Sequence, residues 1–148
     1  MTANRANAGE ESAVKELTLE ARLENIAVVT AFIDEQLEAL DCSMKAQTQI
    51  DIAIDELFGN IAHYAYPGGA GDATVRFDFD EATRTASLAF IDSGVPFDPL
   101  QKADPDVTLS AEARAIGGLG IFMVKKSMDK LEYRYENGFN VLMLHKRI

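Results

Sequence analysis

Ile50, Ile54, Leu57, Ile61 and Tyr64 recur at helical spacing and predict the buried stripe of a long helix. Ser43 suits the N-cap, and Pro67-Gly68-Gly69 stops the helix near residue 66. Before it, Leu23, Ile26, Ile33, Leu37 and Leu40 repeat with a helical period across residues 22–40. Residues 15–21 alternate and predict a strand. Val75, Phe77 and Phe79 alternate with Arg76 and Asp78, the pattern of a half-exposed strand. Residues 80–84 read as a turn, and residues 85–91 as the returning strand. A last helix is predicted over residues 119–130, burying Ile121, Val124, Met128 and Leu131. Strands over residues 132–135 and 140–144 follow, with Asn137-Gly138 between them suiting a turn that needs positive φ. The order β-α-α-β-β-loop-α-β-β predicts a mainly antiparallel sheet with helices on one face. That is an α+β two-layer sandwich.

Residues 98–118 break the pattern. They hold Pro99, Pro105, several acidic residues and little apolar period. A connection this long is functional or mobile more often than idle. A chain of 148 residues suggests one domain, here residues 13–148. Residues 1–12 are polar and rich in small residues, a leader expected to be disordered. That leader lacks the apolar core of a secretory signal, and no run has the length of a membrane helix. Cys42 is the single cysteine, which excludes an intrachain disulfide and a cysteine zinc site. These features point to the cytoplasm and away from the membrane. The net charge of −10 argues against direct binding to nucleic acid, because an acidic surface repels phosphate backbones. A basic partner surface is complementary to it.

Three segments carry candidate chemistry. Glu56 and Asn60 are four residues apart, so they stand together on one helix face. With Gly59 and His63 they form a second stripe beside the apolar one. A carboxylate can take a proton, and an amide oxygen can coordinate a hard cation such as magnesium. The second segment is an apolar run ending in Asp92-Ser93-Gly94, where a carboxylate can accept a hydrogen bond and a bare backbone admits a flat ligand. The third is Gly117-Gly118-Leu119-Gly120, which opens an apolar helix. Helix N-termini offer free N–H groups and a positive dipole end to phosphate. It lacks the lysine of a Walker A loop, and no strand leads straight into it as in a Rossmann fingerprint. Taken singly, each segment reads equally well as a solvated face, an ordinary turn or a helix start.

Together and in this order, the segments resemble the N, G1 and G2 boxes of the Bergerat-fold ATP-binding superfamily, which includes gyrase, histidine kinases and MutL. The wording of the boxes is similar to that of the anti-sigma-factor serine kinases. The resemblance lies in Glu-Leu-Phe-Gly-Asn-Ile-Ala-His-Tyr-Ala-Tyr-Pro from Glu56, Asp-Ser-Gly-Val-Pro-Phe-Asp-Pro from Asp92 and Gly-Gly-Leu-Gly-Ile-Phe-Met-Val from Gly117. It implies ATP and magnesium as cofactors. Glu56 becomes the general base, Asn60 the magnesium ligand, and Asp92 with Gly94 the adenine site. Gly117, Gly118, Leu119 and Gly120 become the phosphate cradle, and residues 98–118 the ATP lid. Arg114 is a candidate to reach the phosphates. Some relatives place a histidine four residues after the asparagine, whereas this chain has Tyr64 there, so His63 reads as a rim residue. His145 reads as a surface strand residue, and Lys125 with Asp129 as an exposed pair on the last helix. The implied activity is phosphorylation of a serine on a STAS-domain antagonist. The implied partners are that antagonist, a sigma factor and a second copy of this chain. The alternative is an ATP-binding module of the same fold that gates a partner without kinase turnover.

Overall fold

Three helices lie against one face of a five-stranded antiparallel sheet in this computed structural model, which describes residues 14–101 and 118–148. Strands β1 (Lys15–Glu20), β2 (Asp72–Asp80), β3 (Thr85–Asp92), β4 (Lys130–Glu136) and β5 (Phe139–Arg147) run in the spatial order β1-β2-β3-β5-β4. The helices are α1 (Ile26–Ala39), α2 (Met44–Tyr64) and α3 (Gly118–Ser127). Short 3-10 turns stand at Leu23–Asn25 and Pro99–Gln101. This is the expected α+β two-layer sandwich. The expected leader, residue Gly117 and most of the expected lid lie outside the described residues.

Local chemistry accounts for the boundaries. The Ser43 hydroxyl accepts from the Ala46 N–H at 3.1 Å, capping α2 as its position predicts. Asn137 and Gly138 both take positive φ, +55° and +83°, which lets β4 and β5 join through the tightest of hairpins. One face of α2 buries Ile50, Ala53, Ile54, Leu57 and Phe58. It packs on the inward residues of the sheet, among them Val75, Phe77, Leu88, Phe90, Leu142 and Leu144. Val29, Ile33 and Leu37 of α1, with Ile121 and Val124 of α3, complete this core. Burying each such side chain fully is worth about 1.5–3 kcal/mol, so the layers are held chiefly by this interface. The opposite sheet face is polar at Arg76 and Asp78, with Arg76 bonded to Glu16 at 2.8 Å.

Three expectations need correction. The last helix ends at Ser127, short of residue 130, because the Asp129 N–H turns to the His145 carbonyl at 3.0 Å and starts the β4 ladder. Leu131 therefore faces its partner Leu144 from a strand, and Asp129 lies beyond the helix, accepting from the Arg147 N–H at 2.6 Å. Strands β4 and β5 are also longer than predicted, since their pairing continues from Lys130↔His145 to Glu136↔Phe139. Tyr64 is not in the buried stripe. It is 51% exposed, its ring 5.8 Å from that of Phe97.

Candidate functional site

The register of the sheet builds the site. Asp92 ends β3 directly opposite Asn140, near the start of β5. Opposed residues share a face, so both side chains point to the helical layer. Each is nearly sealed, Asp92 at 5% exposure and Asn140 at 6%. Asp92 Oδ1 accepts from the Gly94 N–H and from Asn140 Nδ2, both at 2.9 Å. No described residue donates to its Oδ2, and Asp92 lines a cavity.

That cavity lies between α2 and the sheet, open at its mouth and narrow, with a volume of about 30 Å³. Asn60, Ile61 and Tyr64 of α2 line one side, and Phe90, Asp92, Asn140 and Leu142 the other. The turn after β3 closes the end with Val95, Phe97 and Pro99. A mainly apolar wall with a few convergent polar groups is the usual character of a small-molecule site. The turn is held by the end of α2. The Val95 N–H donates to the Ala65 carbonyl at 2.9 Å, and the Ser93 N–H to the Tyr66 hydroxyl, also at 2.9 Å. Tyr66 in turn donates to the Asp72 carbonyl at 2.6 Å. Only glycine fits at position 94: a Cβ there would lie 2.6 Å from the Ala65 carbonyl carbon and closer still to its oxygen.

Glu56 stands one turn before Asn60 on α2, and its carboxylate lies against the start of α3. A Cβ on Gly120 would be 2.9 Å from Glu56 Oε2 and nearer still to Oε1. The positive end of a helix favours a carboxylate there. Gly118, Leu119 and Gly120 form the first turn of that helix. The structure thus brings Asn60 and Asp92 to one cavity, leaves Gly94 in the turn beside it and outside its lining, and sets Glu56 against Gly120 at the start of α3. Gly117 and Arg114 lie outside the described residues. His63 is exposed, with its ring 5.8 Å from Tyr64, and does not line the cavity. His145 is half-buried on the far face, bonded through Nδ1 to Ser87 Oγ at 2.7 Å.

Sequence reasoning missed Asn140, Tyr133, Tyr66 and Phe97. Asn140 left a trace, being a polar residue in an inward position of an otherwise apolar alternation with Leu142 and Leu144. Tyr133 donates to the Asn140 carboxamide oxygen, and burial pushes its phenol above the ordinary value, so the hydroxyl stays a donor. Among the described residues no three His, Cys, Asp or Glu side chains gather as a metal cluster. The single carboxamide of Asn60 nevertheless fits magnesium, which takes few protein oxygens when phosphates and waters supply the rest.

The fold and the cavity together define a two-layer domain with a candidate ligand site between helix and sheet. The model of the histidine kinase-like ATPase domain matches residues 19–146, and the chain belongs to that family. Membership carries ATP binding with it. The serine/threonine-protein kinase BtrW of Bordetella bronchiseptica is 28% identical over 102 residues, covering 69% of this chain and 71% of that protein. The serine-protein kinase RsbW of Bacillus cereus is 26% identical over 132 residues, covering 86% and 81%. RsbW of Listeria monocytogenes is 32% identical over 106 residues, covering 68% and 66%. A crystal structure of the RsbU and RsbW domains of a Mycobacterium tuberculosis protein has the same fold, with a TM-score of 0.64 at 17% identity. It matches over 90% of this chain, which spans about a third (32%) of that longer one. Among the described residues no helix is long and apolar enough to cross a membrane.

Proposed function

We propose that this chain is an ATP-dependent protein serine kinase that acts as an anti-sigma factor. The observation that carries the reading is the convergence of Asn60, Asp92 and the Glu56–Gly120 contact on one region between α2, α3 and the sheet. Asp92 Oδ2 accepts from the exocyclic amine of adenine, and the apolar walls from Leu57, Phe90 and Leu142 receive its ring. The start of α3 faces the phosphates with its free N–H groups. Asn60 Oδ1 would hold magnesium, whose charge offsets that of the triphosphate. Glu56 takes the proton of the substrate serine as its Oγ bonds to the γ-phosphorus. The bond from that phosphorus to the β–γ bridging oxygen breaks, and ADP leaves. The phosphate acceptor is a STAS-domain antagonist, the sequestered partner is a sigma factor, and the working unit is a homodimer in the cytoplasm. The names of the relatives support the serine-kinase class.

The test is transfer of labelled γ-phosphate to a STAS-domain protein, read as phosphoserine. Glu56→Ala is expected to slow transfer by about 100–10,000-fold, the usual worth of a general base, while ATP affinity stays within about twofold. Undiminished transfer would remove Glu56 from the mechanism. One observation favours a second reading, an ATP-binding module that gates a partner without turnover: Glu56 is absent from the described residues lining the cavity and rests on α3. Wild-type protein that binds ATP and a sigma factor but transfers no phosphate would establish it.

A further inference from the structure

Asn140 occupies a position where an apolar residue would serve packing better. Its carboxamide has two N–H donors and two acceptor lone pairs, and all four are used. Nδ2 donates to Asp92 Oδ1 at 2.9 Å and to the Val95 carbonyl at 3.0 Å. Oδ1 accepts from the Phe97 N–H at 3.1 Å and from the Tyr133 hydroxyl. A flipped amide would set its oxygen against a carboxylate and its NH2 against two donors, so only one orientation is tolerable. The group therefore ties together the end of β3, the turn after it and strand β4. Burial makes this network stringent, because an unpaired polar group there costs its full desolvation.

The consequence falls on Asp92. One of its oxygens is fully occupied by Gly94 and Asn140, and the other is left to the cavity. We propose that Asn140 is the positioning residue of the base pocket, holding Asp92 so that the ligand meets a lone carboxylate acceptor and only bases with an amine at that point are admitted. This rests on the reading of the cavity as the base site. A base that presents a carbonyl oxygen there meets oxygen with oxygen. Sites built to pair one polar group reject the mismatched analogue by far more than they reject a change of size. Adenine is accepted and guanine refused, and Asn140, its hydrogen-bonding positions taken up by the protein, acts through Asp92.

The experiment is calorimetric titration of the intact chain with magnesium-ATP and magnesium-GTP, on wild type, Asn140→Asp and Asn140→Ser. Wild type is expected to prefer ATP by at least about 100-fold. In Asn140→Asp, a second carboxyl faces Asp92, and the pair shares one proton. Near pH 5.5 the protonated carboxyl still donates, so the ATP:GTP ratio stays close to wild type. Near pH 8.5 the two charges repel, Asp92 turns, and the ratio falls about tenfold or more, while the wild-type ratio holds. A role confined to folding would lower stability without this pH-dependent loss of selectivity. Asn140→Ser keeps one donor on a shorter side chain and is expected to lose selectivity about tenfold at both pH values, giving a second reading if the aspartate variant does not fold. Folded variants that retain the wild-type ratio throughout would overturn the role of Asn140 and leave the ATP site standing. Wild type that binds neither nucleotide would overturn the site itself.

Discussion

Gly94→Ala should damage stability and ligand binding together. The added Cβ would sit 2.6 Å from both the carbonyl carbon and the Cβ of Ala65, and closer still to the carbonyl oxygen. That obstacle is the backbone at the end of α2, with no flexible tip to swing aside. Either the turn or the helix end must move. Movement breaks the bond from the Val95 N–H to the Ala65 carbonyl and bends the one from the Gly94 N–H to Asp92. Overpacking in a closed site costs about 1–3 kcal/mol. Two weakened hydrogen bonds add about 0.5–1.5 kcal/mol each. The expected loss is therefore about 2–6 kcal/mol, which lowers Tm by roughly 6–18 °C for a chain of this size. Urea unfolding followed by circular dichroism gives the free energy, and calorimetry gives the ATP affinity of the folded fraction. A loss below about 1 kcal/mol with unchanged ATP binding would show that the turn is not wedged against α2 and would refute the argument.

Gly120→Ala is the contrasting case, because its Cβ meets the far end of the Glu56 side chain, which can rotate. Stability should change by less than about 1 kcal/mol, since alanine also favours the helix, whereas phosphate transfer falls as Glu56 is displaced. Equal transfer with the alanine present would separate Glu56 from the chemistry. Saturating magnesium-ATP should raise the wild-type Tm by about 5–10 °C. Asn60→Ala should erase most of the part of that shift that depends on magnesium, as differential scanning fluorimetry with and without a chelator will read. Asp51 is pushed up to about 7 by burial first, then by its hydrogen bond to Asp34 and the charges of Asp34 and Glu38. The folded chain thus keeps a proton that the unfolded chain releases, so stability should fall as pH rises from about 4 to about 7 and level off above. Asp51→Asn should flatten that profile and gain about 1 kcal/mol near pH 8, after allowance for solvent screening at a half-exposed pair. A parallel slope in the variant would point to other groups.

Much of the fold was legible because its elements obey local rules. The helical stripe of α2, the alternation of β2 and the Asn137-Gly138 turn each carry their own signal, and the structure has them where the residues place them. The errors lie where a distant partner decides. Residues 128–131 have apolar spacing that a helix could use, yet Lys130 and Leu131 pair with His145 and Leu144, and the ladder ends the helix at Ser127. The apolar period placed Tyr64 inward, but the last turn of α2 stands over the cavity mouth, where its ring meets Phe97.

The candidate site divides along the same line. Glu56 and Asn60 are visible because helical spacing alone sets them on one face. Asp92 and Gly94 are visible as a strand end. Their closeness to Asn60 is not visible, because it depends on α2 crossing the sheet at β3 and β5. Nor is the bond between Asp92 and Asn140, residues 48 apart in the chain, since only the antiparallel register of β3 with β5 sets them opposite. A slip of one residue would turn Asn140 to the far face and leave Asp92 with one donor from the protein instead of two. The apolar partners Leu142 and Leu144 forbid that slip, because the same shift would expose both. The core of the sheet thus fixes the geometry of its most polar pair, and a buried carboxamide can be trusted with selectivity because leucines hold its strand in register.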